Sequence, residues 1–233
     1  MERVLITGAN RGIGLELVRQ YSQRDATRVF AATRQPETAA ELQALAQSRP
    51  DNVTVIQLEV TDEASIAAAV QAVQQQVDGL DVLINNAAIN PDEGTSDLFA
   101  LDAEQIMQVV RVNVLAPVLV ASGFAGLLKA GQRPRLINIS SGSGSLTYRT
   151  HGGSYAYSTS KAGVNMMTRN LAADLKPVIC IALDPGWVKT DMGGPNAHLE
   201  PHESIQGILQ VVDQLTAEDN GSYRNYKGET LPW

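Results

Sequence analysis

The 233-residue sequence contains a single cysteine, Cys180, and only 5% aromatic residues. One cysteine excludes an internal disulfide framework, and its apolar surroundings (VICIAL) predict a buried, unreactive thiol. The sequence also lacks any run of lysine or arginine, and its formal net charge is -7. This charge disfavours nucleic acid and acidic membrane surfaces as partners, so we expect a small-molecule ligand.

No charged and apolar leader precedes the first strand-like segment, which begins at Val4, and no uninterrupted run of about 18 apolar residues occurs. The chain nevertheless has 44% hydrophobic residues, enough to bury a sizeable core. We therefore expect one soluble domain over residues 1–233 with a cytoplasmic location.

Short β-rich runs alternate with longer helical patterns along the chain. Strands are predicted at RVLIT, RVFAAT, VTVIQLEV, LDVLINN, RLINIS, VICIALD and, near the end, SYRNY. Such nearly continuous apolar strands are typical of a parallel sheet covered on both faces. The prediction is an α/β fold, a Rossmann-type doubly wound parallel sheet of about seven strands with helices on both faces.

One helical region is unusually long, from about Ala103 to Lys129, and its pattern is interrupted at Pro117. Two stretches that follow strand ends are predicted to be loops, at 91–97 and at 193–201. The second contains paired glycines as hinge elements, and we expect a lid around 191–203 that closes over a ligand.

Three glycines lie between the first strand and the first helix, in TGANRGIG. Glycines there permit a tight turn and close approach of a pyrophosphate to the helix N-terminus. The spacing Gly-x-x-x-Gly-x-Gly differs from the commoner Gly-x-Gly-x-x-Gly, and alone it could mark an ordinary turn. In this context we predict a dinucleotide site at this turn, with Gly8, Gly12 and Gly14 near the phosphates.

No acidic residue follows the second strand, where an NAD site usually has one to accept hydrogen bonds from the ribose 2′-hydroxyl. Arg34 occupies that place, and Arg11 offers a second guanidinium. Because a guanidinium can bind a phosphate with two hydrogen bonds, we predict NADPH or NADP as cofactor, with NADH less favoured. The alternative is that both arginines are solvated surface residues.

The segment SYAYSTSK places two tyrosines close to one lysine. Tyr157 and Lys161 lie four residues apart and share a helix face, whereas Tyr155 points elsewhere. A nearby ammonium stabilises a phenolate, so we expect the lysine to lower the pKa of Tyr157 and make it usable in acid–base catalysis. The pair alone is common on helix surfaces.

The order of the motifs resembles the short-chain dehydrogenase/reductase family over essentially the whole chain. TGANRGIG is followed by NNAA at 85–88, VNVLAP around Asn113, NISS at 138–141, YSTSK and PGWVKT. Within the family, PGWVKTDMGG and KGETLPW are similar to C-factor-like and sniffer-type carbonyl reductases.

The resemblance implies an NADPH-dependent oxidoreductase that reduces an aldehyde, ketone or quinone to an alcohol. It implies a catalytic tetrad of Asn113, Ser141, Tyr157 and Lys161. Tyr157 would donate the proton, Ser141 would orient the carbonyl, Lys161 would hold the nicotinamide ribose and lower the phenol's pKa, and Asn113 would position a water. Ser140 stays a rival to Ser141, because the interval before Tyr157 is three residues longer than in many relatives.

The resemblance also extends the cofactor site to Asn10, Arg11, Ile13, Glu59, Val60, Asn85, Ala87, Pro185, Gly186, Val188 and Thr190, together with Tyr157 and Lys161. It implies a carbonyl substrate and admits a homodimer or homotetramer, whereas the charge of the chain predicts no nucleic-acid or membrane partner, and no metal is expected. The alternative function is a cofactor-binding signalling or regulatory protein of the same fold with little turnover.

Three features depart from the family pattern. Ala88 stands where NNAG has glycine, and Glu59 stands where aspartate is usual near the adenine. The insertion GSLTYRTHGG lies between Ser141 and Tyr157, and we expect it to form a loop lining the substrate cleft.

Overall fold

The computed structural model describes residues 1–91 and 97–233, and it contains one seven-stranded parallel sheet. The strands are β1 (Glu2–Thr7), β2 (Thr27–Thr33), β3 (Val53–Gln57), β4 (Val82–Asn85), β5 (Arg135–Ile139), β6 (Ile179–Asp184) and β7 (Tyr223–Asn225). Their order is β3-β2-β1-β4-β5-β6-β7, with every neighbouring pair parallel. The order reverses between β1 and β4, which is where doubly wound sheets open a ligand crevice. The predicted fold class is confirmed.

Within the described residues, seven α-helices connect these strands: α1 (Gly12–Tyr21), α2 (Ala40–Ser48), α3 (Glu63–Gln74), α4 (Ala103–Val110), α5 (Ala116–Lys129), α6 (Tyr155–Asp174) and α7 (Pro201–Gln214). Alternate residues of the strands point to opposite faces. Val4 and Ile6 of β1 pack in one core cluster with α1, α2 and α7, whereas Leu5 packs in a second with α3, α5 and α6. The sheet therefore has a hydrophobic core on each face.

The long predicted helix is interrupted by a π-helical turn, Arg111–Leu115, which lies just before Pro117. Pro117 has no N–H to donate to the carbonyl of Asn113, four residues earlier, so the regular α-helical bond is missing there. By length and composition Ala103–Lys129 could cross a membrane. Its inner residues Val120, Phe124 and Leu128 are instead buried in the core.

The segment after β6 runs across the carboxyl end of the sheet before α7 begins. Leu199 is tied to the start of this segment by backbone hydrogen bonds to Trp187 (3.2 Å) and Lys189 (2.9 Å). The first turn of α7, from Pro201, falls inside the range 191–203 that was expected to be a lid. Of the other predicted loop, 91–97, residues 92–96 lie outside the described residues.

Cys180 lies in the middle of β6 and is fully buried. Burial in apolar surroundings raises the pKa of its thiol to about 12. The thiol is therefore protonated and shielded, as the sequence led us to expect.

Candidate active site

A cleft of about 350 Å³ opens over the carboxyl ends of β1 to β6. It is lined by thirteen of the residues expected from the sequence: Gly8, Asn10, Arg11, Gly12, Ile13, Arg34, Glu59, Val60, Ala87, Tyr157, Lys161, Pro185 and Thr190. Gly14, Asn85, Asn113, Ser141, Gly186 and Val188 lie outside this lining. The structure therefore brings the glycine turn and the Tyr157–Lys161 pair to one cleft, although they are far apart in sequence.

The glycine turn after β1 depends on backbone conformations that favour glycine. Gly8 has φ +65° and Gly12 has φ +54°, both in the left-handed region. A Cβ on Gly14 would lie 2.1 Å from the carbonyl oxygen of Gly8, so the first helix can approach the turn only without a side chain. Gly14 thus acts in packing beneath the turn, and Gly8 and Gly12 leave the backbone open to the cleft.

Asn86 anchors this turn to β4, a function that the sequence analysis did not assign to it. Its Nδ2 donates to the carbonyls of Thr7 (2.9 Å) and Gly8 (3.1 Å), and its backbone N–H donates to Thr7 Oγ1 (3.0 Å). Asn85, the predicted cofactor residue, is buried and instead donates to Asn138 Oδ1 (2.9 Å). Of the two adjacent asparagines, the structure places Asn86 on the cleft lining.

Tyr157 and Lys161 lie on the same side of α6, as their spacing predicts. The Lys161 ammonium is 5.5 Å from the centroid of the Tyr157 ring, and it donates a 2.8 Å hydrogen bond to the carbonyl of Ile139. Lys161 is almost fully buried. Burial lowers the pKa of its ammonium to about 8, although the carboxylate of Asp184 opposes this shift.

The pKa of Tyr157 differs from our expectation. Burial raises it to about 12, the negative charge of Asp184 adds to the rise, and a hydrogen bond with the Ser141 side chain acts against both. Desolvation of the phenolate thus outweighs any stabilisation by Lys161, whose own charge is disfavoured by burial. At neutral pH Tyr157 is a protonated phenol, which is the form that can donate a proton.

Two serines follow β5, and their hydroxyls have different partners. Ser140 is buried, and its hydroxyl donates to Asn165 Oδ1 at 2.6 Å. The Ser141 hydroxyl accepts from the backbone N–H of Ser143 at 3.2 Å, and its interaction with the Tyr157 phenol lowers the pKa of Tyr157. Although Ser140 borders the cleft and Ser141 does not, this interaction favours Ser141 as the partner of Tyr157.

Asn113 lies in the π-helical turn and its side chain is fully engaged. Its Oδ1 accepts from the N–H of Ile89 (2.9 Å), and its Nδ2 donates to the carbonyl of Ile89 (2.9 Å) and to Ser160 Oγ (3.1 Å). The main-chain carbonyl lacks its α-helical donor because Pro117 follows four residues later. The Asn113 side chain thus ties the π-helical turn to Ile89 and to Ser160 of α6.

Both arginines of the predicted phosphate site face a carboxylate. Arg34 Nη1 is 3.8 Å from Glu59 Oε2, and Arg11 Nη1 is 3.0 Å from Asp191 Oδ2. Glu59 is itself held by Thr61, whose hydroxyl donates to it at 2.8 Å. Asp191, which the sequence analysis did not single out, belongs to the TDM segment and lines the cleft.

The insertion before α6 forms a loop whose one arginine is used internally. The Arg149 guanidinium donates to the carbonyls of Gly152 (3.1 Å) and Gly153. Tyr148 and Trp187, on the two segments that flank the site, are each about half exposed, at 53% and 51%. Among residues 1–91 and 97–233, no cluster of His, Cys, Asp and Glu could hold a metal ion.

Comparison with known proteins agrees with this geometry. The family model for short chain dehydrogenase matches residues 2–200. The chain is 39% identical to C-signal of Myxococcus xanthus over 160 residues, which are 66% of this chain and 93% of that protein. It matches the NADPH-bound carbonyl reductase from chicken fatty liver with a TM-score of 0.94 at 36% identity, over 100% and 99% of the two chains. For the carbonyl reductase Sniffer of D. melanogaster the TM-score is 0.94 at 34% identity, over 100% of both chains.

These matches cover the glycine turn and the Tyr157–Lys161 helix, the two features that the cleft brings together. They also agree with the resemblance that the motifs PGWVKTDMGG and KGETLPW indicated. The chain belongs to the short-chain dehydrogenase family of oxidoreductases.

Proposed function

We propose that this protein is an NADPH-dependent carbonyl reductase that converts an aldehyde, ketone or quinone to an alcohol. The observation that carries the proposal is that the Tyr157 phenol, protonated at neutral pH, lies beside Lys161 in the cleft that the glycine turn opens. Two of the most similar solved structures are carbonyl reductases, and one of them has NADPH bound.

The cleft fits a nicotinamide dinucleotide. Gly8 and Gly12 adopt left-handed backbone conformations and line the cleft near the start of α1, where a pyrophosphate is favoured. Arg34 is 72% exposed at the cleft margin and could contact a 2′-phosphate. When bound, the nicotinamide supplies the hydride.

Each member of the tetrad has one task in this proposal. Tyr157 gives its phenolic proton to the substrate oxygen as negative charge develops there, and Ser141 donates a hydrogen bond to the same oxygen. Lys161 holds a positive charge beside the phenol and binds the ribose. Tyr157 is left as a phenolate and regains a proton from Lys161, and a water positioned by Asn113 returns a proton from solvent to Lys161.

The first test is binding of NADPH and NADH to wild type and to Arg34→Asp, followed by cofactor fluorescence. We expect wild type to prefer NADPH and the variant to lose most of that preference, because an aspartate repels the 2′-phosphate. Loss of nicotinamide absorbance with a panel of aldehydes, ketones and quinones then tests the chemistry. An unchanged ratio of affinities in Arg34→Asp would remove Arg34 from the cofactor site.

The similarity to C-signal supports a second candidate, a cofactor-binding signalling protein. The two proposals differ in one result. Tight binding of NADPH without oxidation by any carbonyl in the panel favours the signalling protein, whereas carbonyl-dependent oxidation favours the reductase. The cytoplasmic location and a homodimer or homotetramer stay predictions.

A further inference from the structure

The carbonyl oxygen of Ser141 is held by a residue 82 positions away in sequence. Tyr223, on the edge strand β7, is 1% exposed, and its hydroxyl donates to this carbonyl at 2.5 Å. The same carbonyl accepts the backbone N–H of Gly144 at 2.8 Å. Two donors therefore fix the peptide group of Ser141. One of them is a buried phenol hydroxyl, which a phenylalanine at position 223 would lack.

The ring of Tyr223 is supported from behind by the last residues of the chain. The Trp233 ring stacks on it with a centroid distance of 5.3 Å and an interplanar angle of 27°. The backbone N–H of Leu231 donates to the Tyr223 carbonyl at 2.8 Å, and the Arg169 guanidinium lies 5.7 Å from the centre of the Trp233 ring. The orientation of the phenol is thus supported by residues 231–233, although Trp233 is itself partly exposed.

This C-terminal segment, 231–233, also grips the chain just beyond Ser141. The Ser145 hydroxyl donates to the carbonyl of Pro232 at 2.7 Å. The backbone N–H and the hydroxyl of Thr147 both donate to the Trp233 carbonyl, at 3.1 and 2.9 Å. The turn that carries Ser141 is therefore held at its start by Tyr223 and at its end by residues 232–233.

We propose that Tyr223 is a positioning residue for Ser141: its hydroxyl fixes the Ser141 peptide and so aims the Ser141 side chain at Tyr157 and the substrate oxygen. The inference rests on the proposed reductase function. A serine that donates to a developing charge must be placed to within a fraction of an ångström, since a shift of about 1 Å can reduce a rate by about 100-fold. The side chains of Ser140 and Asn165 also face the Tyr223 hydroxyl, so the variants below separate their effect from that on Ser141.

The test compares Tyr223→Phe with wild type and with a matched control, Tyr21→Phe. Tyr21 is likewise fully buried, but its hydroxyl has no hydrogen-bond partner within the described part of the chain. We expect Tyr223→Phe to lower kcat by about 10-fold or more, with the Kd for NADPH unchanged, and Tyr21→Phe to leave both unchanged. A double-mutant cycle with Ser141→Ala then distinguishes positioning from general structural damage.

In the Ser141→Ala background, Tyr223→Phe should have almost no further effect on kcat, because the group that it positions is gone. Contacts with Ser140 or Asn165 would persist in that background. Equal factors in the two backgrounds would therefore overturn the inference.

Amide hydrogen exchange gives a readout that does not depend on turnover. Loss of the hydrogen bond should speed exchange at Gly144 and Ser145 by about 10-fold in Tyr223→Phe, with no change in Tyr21→Phe. Unchanged exchange overturns the inference whatever the activity. If wild type reduces no carbonyl while exchange in Tyr223→Phe rises, the proposed function fails and the anchoring of Ser141 stands. If Tyr223→Phe does not fold, Trp233→Ala should act in the same direction with a smaller factor.

Discussion

The two ends of the parallel sheet differ in whether hydrogen bonds and ion pairs offset the effect of burial on the pKa values of their ionisable groups. At the amino ends, Arg3 and Asp81 form a two-pronged ion pair with distances of 2.9 and 2.8 Å, and the N–H of Gln132 also donates to Asp81 at 2.8 Å. Burial alone would raise the pKa of Asp81, yet these hydrogen bonds lower it below its ordinary value. At this end the ion pair and its hydrogen bonds outweigh the effect of burial, so both groups stay ionised.

At the carboxyl ends of the strands, the ionisable groups are buried without a direct ion pair among the described residues to offset the effect of burial on their pKa values. Burial lowers the pKa of Lys161 to about 8, raises that of Tyr157 to about 12, and raises that of Asp184 above its ordinary value. Each group is pushed towards its neutral form. Ionisable groups displaced in this way within a cleft are typical of catalytic sites, whereas matched pairs are typical of structural ones.

The largest expected effect is the loss of the phenol at the carboxyl end. Tyr157→Phe removes the proton donor and should lower kcat for carbonyl reduction by about 10²–10⁴-fold, with NADPH binding nearly unchanged. Steady-state kinetics and cofactor fluorescence measure the two quantities. Tyr155→Phe is the matched control on the same helix and should be mild. A reversal of the two effects would show that the helix register assigned to the acid is incorrect.

The next effect is expected at the amino end and should appear in stability alone. Asp81→Asn leaves the Arg3 guanidinium, 17% exposed at its side chain, without its carboxylate. We expect a loss of about 2–3 kcal/mol in the free energy of unfolding, measured with denaturant, after allowance for partial solvent screening. The kcat of the folded variant should equal that of wild type. A changed kcat with unchanged stability would contradict the separation of the two ends.

Much of the fold and of the cleft could be predicted from local sequence. The alternation of strands and helices, the glycine turn and the shared face of Tyr157 and Lys161 all depend on residues close together in the chain, so periodicity and spacing were sufficient. An interruption of the long helix at Pro117 was also predicted, and the structure has a π-helical turn at Arg111–Leu115, just before the proline.

The features that the sequence could not predict arise from contacts between residues far apart in the chain, or from a one-residue difference in which side of a strand end a side chain faces. The choice between Asn85 and Asn86 turns on which side of a strand end each faces, and side chains alternate with every residue. The pKa of Tyr157 is raised mainly because the assembled fold buries the phenol. The four-residue spacing to Lys161 carries no information about that burial. The bond from Tyr223 to Ser141 joins residues 82 positions apart, and no motif links them.

A smaller effect is expected when one charge at the carboxyl end of the sheet, that of Asp184, is removed. The negative charge of Asp184 raises the pKa of both Tyr157 and Lys161. In Asp184→Asn both values should fall, so Lys161 loses its proton at lower pH. Reduction that needs charged Lys161 should decline near pH 8 in wild type and at a lower pH in the variant.

The pH profile of kcat measures this shift. The amide can still accept the 3.1 Å hydrogen bond from the N–H of Gly186, so the local turn should be preserved. A variant with lower kcat but an unmoved profile would mean that Asp184 acts through shape rather than charge.

The smallest effect is expected from the Arg11–Asp191 ion pair, which lies at the carboxyl end of the sheet but is exposed to solvent. The side chains of Arg11 and Asp191 are 71% and 77% exposed, against 17% and 6% for Arg3 and Asp81. Solvent screens an exposed pair, so its removal should hardly affect stability. Asp191→Asn should instead free Arg11 for the cofactor phosphates and strengthen NADPH binding by about threefold or less, an effect that added salt should diminish. Weaker binding in this variant, measured by fluorescence titration, would indicate that Asp191 contacts the cofactor directly.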